Sequence, residues 1–324
     1  MRVIKAELNL TRYRNLLTSF RFARVSGAMS PAPSRLLVTG ASGFVGWNLC
    51  QAAVAEGWQV FGTVLTHPIE LEGVDLRKID LRDHTALAAL LAQIQPDAVI
   101  HTAAAKDPNF CQANPDASHR INVDASVNLA ALCADLNIPF VFTSTDMVFD
   151  GNAAPYSEAC PVSPIHVYGH QKVLAEDRIL ARHPSATICR LPLMFGNAGP
   201  VAQSFLQPMV EQLKSGATVN LFTDEYRTPI SGQVAAEGLL LATRATHGIL
   251  HLGGSERISR YEFGRLVVAT FNLSNARLNP CLQRDIKMAA PRPPDLSLNS
   301  TKANQLGFTP PSLAHQLETL NPPA

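Results

Sequence analysis

Arg35-Leu36-Leu37-Val38-Thr39-Gly40-Ala41-Ser42-Gly43-Phe44-Val45-Gly46 decides the fold of this chain. A short apolar run over Arg35–Thr39 predicts a buried strand, and the small and apolar residues after Gly43 continue as a helix. Three glycines at 40, 43 and 46 separate the two. Glycine turns tightly and lets backbone N–H groups approach a bound group, while a helix N-terminus favours negative charge. A strand, a glycine turn and a helix in that order form the phosphate-binding element of an open α/β sheet. The spacing is G-x-x-G-x-x-G, so Gly40, Ser42, Gly43, Phe44, Val45 and Gly46 are read as a cradle for the pyrophosphate of a dinucleotide.

Outward from this element, short apolar runs alternate with helix-period segments, the pattern of βα units in a parallel sheet. Strands are expected at Arg35–Thr39, Gln59–Val64, Arg77–Asp80, Ala98–His101, Phe140–Ser144 and Thr187–Leu191. Helices are expected at Thr85–Gln95, from Pro115 through Leu136, and after the capping box Ser259-Arg260-Tyr261-Glu262. Beyond Leu191 the alternation decays into a region punctuated by Pro192, Gly196, Gly199, Pro200 and Pro208. The expected class is α/β: a doubly wound, Rossmann-like parallel sheet with a smaller C-terminal substrate lobe. Residues 34–192 with 230–252 are assigned to the nucleotide-binding domain, and 193–229 with 253–324 to the lobe. At 324 residues the chain is long for one hydrophobic core, in keeping with that division.

A formal net charge of +1 gives no global attraction to nucleic acid or to a membrane surface. No run of 18 apolar residues is present to span a bilayer. The cysteines at 50, 111, 133, 160, 189 and 281 lack C-x-x-C spacing, which argues for a reducing cytoplasm and against a zinc or disulfide framework. No histidine pair has metal-ligand spacing, so no metal is expected. Residues 1–28 carry six basic residues against the single acid Glu7, which reads either as an organelle-type leader or as sequence ahead of a start at Met29.

A dinucleotide site usually has an acid on the adenosine ribose about 20 residues beyond the glycines when the cofactor is NAD. Val60–Pro68 contains none, and its polar residues are Thr63, Thr66 and His67. That favours NADP(H), with NAD(H) as the alternative, and assigns Thr63 and His67 to the cofactor. Asp80-Leu81 ends the third strand, where an acid can accept from the adenine amino group. Ala103-Ala104-Ala105 follows the fourth, where small side chains admit the cofactor close to the backbone.

Tyr168 and Lys172 stand four residues apart and on a helix share one face. An ammonium beside a phenol is expected to lower its pKa from about 10 and make Tyr168 a general acid or base. Ligands of an open α/β sheet bind at the carboxyl ends of its strands. Thr145, at the end of the fifth, is therefore expected to hydrogen-bond a substrate carbonyl, with Ser144 the competing hydroxyl.

The glycine turn, Ser144-Thr145-Asp146-Met147-Val148-Phe149-Asp150-Gly151, Pro164-x-x-x-Tyr168-Gly169-x-x-Lys172 and Arg292-Pro293 together resemble the extended short-chain dehydrogenase/reductase family over roughly residues 35 to 310, and within it the dTDP-4-dehydrorhamnose reductase branch. Asn114–Ala117 and Asn122–Ala130 are also similar to the regulatory β subunit of methionine adenosyltransferase, of the same branch. The resemblance implies a catalytic triad of Thr145, Tyr168 and Lys172, with Lys172 on the nicotinamide ribose. It also implies hydride delivery to the C4 carbonyl of a nucleotide-linked 4-keto-6-deoxy sugar and, as is frequent in the family, a homodimer.

Where the branch commonly has Tyr and Trp, this chain has Met147 and Leu193, removing stacking surface for a sugar ring. Met147 also occupies the place of the Glu that a dehydratase needs. Lys106, Thr145, Asp146, Met147, Leu193, Arg227 and Arg292 are expected to face the substrate, with Arg292 able to fork onto a diphosphate. Two other readings stand beside the reductase: a regulatory subunit that binds NADP, and an epimerase that keeps NAD tightly bound.

Overall fold

The computed structural model describes residues 35–245 and 247–320, so the basic N-terminal segment and a start at Met29 lie outside the described residues. The elements in chain order are β1 (Arg35–Thr39), α1 (Phe44–Ala55), β2 (Gln59–Val64), β3 (Val74–Lys78), α2 (His84–Ile94), β4 (Ala98–His101), α3 (Pro108–Ala113) and α4 (Pro115–His119). A π-helical turn (Arg120–Ala125), α5 (Ser126–Asp135), β5 (Phe140–Thr145), α6 (Val167–Arg182), β6 (Thr187–Leu191), β7 (Met194–Phe195) and α7 (Leu206–Lys214) follow. The chain closes with β8 (Thr218–Phe222), β9 (Tyr226–Arg227), β10 (Ile230–Ser231), α8 (Gly232–Ala245), β11 (Gly248–His251), β12 (Ile258–Ser259), α9 (Arg260–Thr270), β13 (Arg277–Cys281), α10 (Thr301–Gln305) and α11 (Leu313–Glu318).

Seven strands form one sheet in the order β11-β6-β5-β4-β1-β2-β3, with every pairing parallel. Side chains alternate across a strand, and a parallel sheet buries both faces. Leu36, Val38, Val60, Ile100 and Val141 accordingly pack on one side with Leu49 and Ala53 of α1 and Leu239 of α8. Leu37, Phe61, Val99, Phe140 and Phe142 pack on the other with Leu87, Leu129 and Ile179 of α2, α5 and α6. The strand order reverses between β1 and β4, which opens the ligand crevice of such sheets at the carboxyl ends of these strands.

The doubly wound parallel sheet is as the sequence reading has it. The third strand is displaced: it runs Val74–Lys78, because Val60 pairs with Val74 and Val64 with Lys78, and Asp80 falls beyond its end. The fifth runs one residue further, to Thr145. A smaller core forms from Phe195, Leu206, Val210, Leu221, Phe263, Val267 and Leu317, in the part of the chain where alternation fails. Val148, Phe149, Tyr156, Leu296 and Leu298 form a further cluster at the end of β5.

Candidate active site

The glycine turn is held from behind. Gly40 has φ +71, in the left-handed region, and a Cβ there would sit 2.9 Å from the Ala103 Cα. A Cβ on Gly46 would lie 2.2 Å from the Gly40 carbonyl oxygen and 2.9 Å from Thr102 Oγ1. Gly46→Ala therefore has to push backbone out of the turn, and is expected to cost about 1–3 kcal/mol of folding stability, read by urea unfolding.

Thr63 is buried; its hydroxyl accepts from Gly40 N (3.2 Å) and its carbonyl from Ala41 N (2.9 Å), so it braces the turn. Ser42 and Val45 are half-buried, Phe44 is buried, and Gly43 caps α1 with no side chain, leaving the first N–H groups of the helix clear of a cap. His67 is exposed and bonded to Thr66 (2.9 Å).

Asp80 is gripped by Arg82 (2.6 and 2.9 Å), which holds its carboxyl below the usual range. Ile79 N donates to the Val64 carbonyl (3.0 Å), so this pair lies beside the end of β2. Arg82, bound to Asp80 just past the end of β3, is a cation that a search confined to β2 misses. Leu81 packs against the sheet core.

The Ala103–Ala105 segment is clasped by Asn122. Its Oδ1 accepts from Ala105 N (2.9 Å), while its Nδ2 donates to Ala105 O (3.1 Å) and to Gln171 Oε1 (2.9 Å). Gln171 in turn donates to Pro115 O and Ser118 Oγ. Asn122 sits in the π-helical turn, a distortion that often marks functional sites. The sequence reading assigned no role to either amide, although an Asn in an apolar helical run and a Gln between Tyr and Lys were visible signals.

His166 caps α6, its Nδ1 accepting from Gly169 N (2.9 Å). Tyr168 and Lys172 follow on one face, both buried. Lys172 Nζ lies 4.0 Å from the centroid of the Phe142 ring, and burial, partly opposed by Glu176, brings its pKa down to about 7. The phenol departs from expectation: burial pushes Tyr168 up, reinforced by Cys111 and Asp146 and opposed by the Thr145 hydroxyl. The ammonium does not offset that desolvation, so the phenol keeps its proton at ordinary pH.

The two competing hydroxyls part company. Ser144 donates to the buried Glu176, which Arg190 also holds (2.6 Å) in a buried ion pair. Thr145, on the opposite side of the pleat, accepts from Met147 N (3.2 Å) and donates to Asp146 Oδ1 (3.2 Å) at the strand end. Thr145, Asp146 and Tyr168 thus share one neighbourhood.

Asp146 meets Arg227 (3.4 Å), whose guanidinium also approaches Glu225 (3.3 Å). Burial raises the Asp146 carboxyl to about 6 against the pull of Arg227. Arg292 donates to Ala290 O (3.1 Å) and Asn109 Oδ1 (3.3 Å), so in this structure its fork is used on loops. Lys106 reaches Gln203 O (3.4 Å), and burial lowers its amine. Met147 is half-buried against the cluster beyond β5, and Leu193 is half-buried with its carbonyl accepting from Ile230 N (3.2 Å). His166, Glu225 and Arg260 join this region without having been singled out in the sequence.

The fold is that of a Rossmann-like α/β protein, with a glycine turn between β1 and α1 and with Thr145 at the end of β5 close to Tyr168 of α6, one turn ahead of Lys172. The chain belongs to the family described as RmlD substrate binding domain, whose model matches residues 34–321. The expected kinship with the dTDP-4-dehydrorhamnose reductase branch and with the methionine adenosyltransferase β subunit is thereby borne out.

The chain is 31% identical over 288 residues to "Probable low-salt glycan biosynthesis reductase Agl14" of Haloferax volcanii, covering 87% of this chain and 96% of that one. It is 29% identical over 281 residues to methionine adenosyltransferase 2 subunit beta of Xenopus laevis, covering 85% and 83%. Among solved structures, a hypothetical dTDP-4-dehydrorhamnose reductase from Sulfolobus tokodaii superposes with TM-score 0.75 at 30% identity, over 89% and 99% of the two chains. The dTDP-4-dehydrorhamnose reductase of Bacillus anthracis, in complex with NADP, shares the fold (TM-score 0.76, 22% identity, 88% and 97% covered).

Proposed function

We propose that this chain is an NADPH-dependent reductase of a nucleotide-linked 4-keto-6-deoxy sugar. The observation that supports the reading most is that the Thr145 hydroxyl at the end of β5 meets Tyr168, with Lys172 one turn further along α6 and the competing Ser144 hydroxyl taken by Glu176. The residues fit a dinucleotide: Gly40 and Gly46 leave space that a Cβ would fill, and α1 begins without a side-chain cap. Gly40–Gly46 would hold the pyrophosphate, Asp80 and Leu81 the adenine side, and Ala103–Ala105 the inner face. When bound, the nicotinamide supplies the hydride.

The chain's own residues then manage charge and protons. Thr145 donates to the carbonyl oxygen, and Tyr168 passes its proton to that oxygen as negative charge develops there. Lys172, one turn along, stabilises the phenolate left behind. Met147 and Leu193 line the sugar side without an aromatic platform, while Lys106 and Arg292 supply positive charge toward the nucleotide part.

The absence of an acid in Val60–Pro68 and the presence of Arg82 near its end support NADP(H) over NAD(H). A fluorescence titration is expected to find NADPH binding at least tenfold tighter than NADH; equal or reversed affinities overturn the preference. The reaction is tested by following NADPH oxidation across a panel of nucleotide 4-keto-6-deoxy sugars.

A second reading, an NADP-binding regulatory subunit, draws support from the relatives named methionine adenosyltransferase 2 subunit beta. It predicts stoichiometric copurification with a partner and no NADPH oxidation on any member of the panel.

A further inference from the structure

Among the described residues, six buried side-chain polar atoms lack a hydrogen-bond partner, and four of them belong to one region: Asp146 Oδ2, His166 Nε2, Arg227 Nη2 and Arg260 Nη1. Buried polar groups are almost always paired, because an unmade bond costs about 1–3 kcal/mol per group. A cluster of such groups beside a crevice calls for a ligand that completes them.

The four atoms are tied together by contacts already described. Asp146 Oδ2 lies 3.4 Å from Arg227 Nε, and Arg227 reaches Glu225, whose carbonyl accepts from Arg260 N (3.1 Å). The Arg260 guanidinium stacks 4.0 Å from the centroid of Phe205. The His166 and Tyr168 rings are 6.2 Å apart, and His166 feels the charges of Arg292 and Arg227. His166, Asp146 and Arg227 are each 2% exposed.

The capping bond fixes the histidine's chemistry. Since Nδ1 accepts from Gly169 N, the ring carries its proton on Nε2, and burial holds its pKa down to about 4, so the ring is neutral at ordinary pH. Next to the proton donor stand two donors that make no hydrogen bond, His166 Nε2–H and Arg227 Nη2, and one such acceptor, Asp146 Oδ2; Arg227 Nη2 has only a 3.3 Å ion-pair approach to Glu225 and Asp146 Oδ2 a 3.4 Å approach to Arg227 Nε. A single hydroxyl has the complementary inventory: one proton to give and two lone pairs to receive. In a 4-keto-6-deoxy sugar, C5 carries the methyl group, so the hydroxyl flanking the carbonyl is the one on C3.

We propose that Asp146, His166 and Arg227 form a specificity subsite for the C3 hydroxyl of the substrate, which donates to Asp146 Oδ2 and accepts from His166 Nε2 and Arg227 Nη2. The assignment rests on the reductase reading above and adds what the enzyme selects. It also gives a physical role to the loss of aromatic surface at Met147 and Leu193: the ring is gripped by its hydroxyl rather than stacked.

The test compares NADPH oxidation with a nucleotide 4-keto-6-deoxy sugar and with its 3-deoxy counterpart. A site built around a hydroxyl rejects the analogue lacking it by about 10⁴-fold, and a preference of that order in kcat/KM is expected. His166→Ser keeps an oxygen to cap α6 but removes the ring donor; the preference is expected to fall at least tenfold.

Comparable kcat/KM for both sugars in the wild type overturns the subsite and leaves the reductase reading intact. An undiminished preference in His166→Ser overturns it as well. Oxidation with neither sugar sinks the reductase reading and this assignment with it. Should His166→Ser fail to fold, Asp146→Ala removes the acceptor, and the preference is expected to collapse in the same way.

Discussion

Tyr168→Phe is expected to lower kcat by about 10²–10⁴-fold, the usual contribution of a positioned acid, with NADPH affinity nearly unchanged. The reason lies in what burial does to this side chain. Desolvation holds the phenol in its protonated form, with the Thr145 hydroxyl opposing that shift only in part, so in the proposed reaction the ring enters carrying the proton it is to give. Phenylalanine retains the ring, its place between His166 and the crevice, and the turn that carries Lys172. It removes the hydroxyl proposed to protonate the forming alcohol. Steady-state rates with a responsive 4-keto sugar, alongside a NADPH titration, check both halves; full turnover in the variant removes Tyr168 from the mechanism.

Arg190→Met is expected to destabilise the protein by about 3–5 kcal/mol, because it strands a buried carboxylate. Glu176 receives the forked guanidinium of Arg190 (3.1 and 2.6 Å) and the Ser144 hydroxyl, with both partners of the ion pair nearly inaccessible to water. Arg190 extends the network to His251 (3.4 Å), so β5, α6, β6 and β11 are linked under the site. Replacing the pair together, as Glu176→Gln with Arg190→Met, is expected to recover most of the loss, since no charge is then left unpaired. Urea unfolding of the single and double variants measures the difference; equal losses would show that volume rather than charge dominates.

The sheet was legible because its strands are apolar on both faces and its turns carry glycine, so Leu36-Leu37-Val38 followed by Gly40 admits few other folds. Legibility failed where burial is shared unevenly. Edge strand β3 mixes Val74 and Leu76 with Asp75, Arg77 and Lys78, and its register follows from pairing with β2, which no local pattern reveals. The reactive residues were readable from spacing, as Tyr168 and Lys172 fall on one helix face. Choosing between Ser144 and Thr145 required knowing that Glu176, 32 residues on, takes up the Ser144 hydroxyl. Asn122, Arg82 and His166 went unassigned for a related reason: each acts through a partner distant in sequence or through the backbone of its own turn, and neither relation leaves a periodic trace.

The clasp made by Asn122 has a mechanical consequence. Its amide bonds simultaneously to the strand-end backbone at Ala105 and, through Gln171, to the helical turn between Tyr168 and Lys172. One short side chain thereby sets the gap between the Ala105 backbone and the helical turn that carries Tyr168, the proposed acid. The outer loops at Lys106–Asn109, Gln203 and Ala290–Arg292 meet through separate bonds and share no member of that linkage. Those loops are accordingly free to be reshaped for a different guest while the working gap stays calibrated.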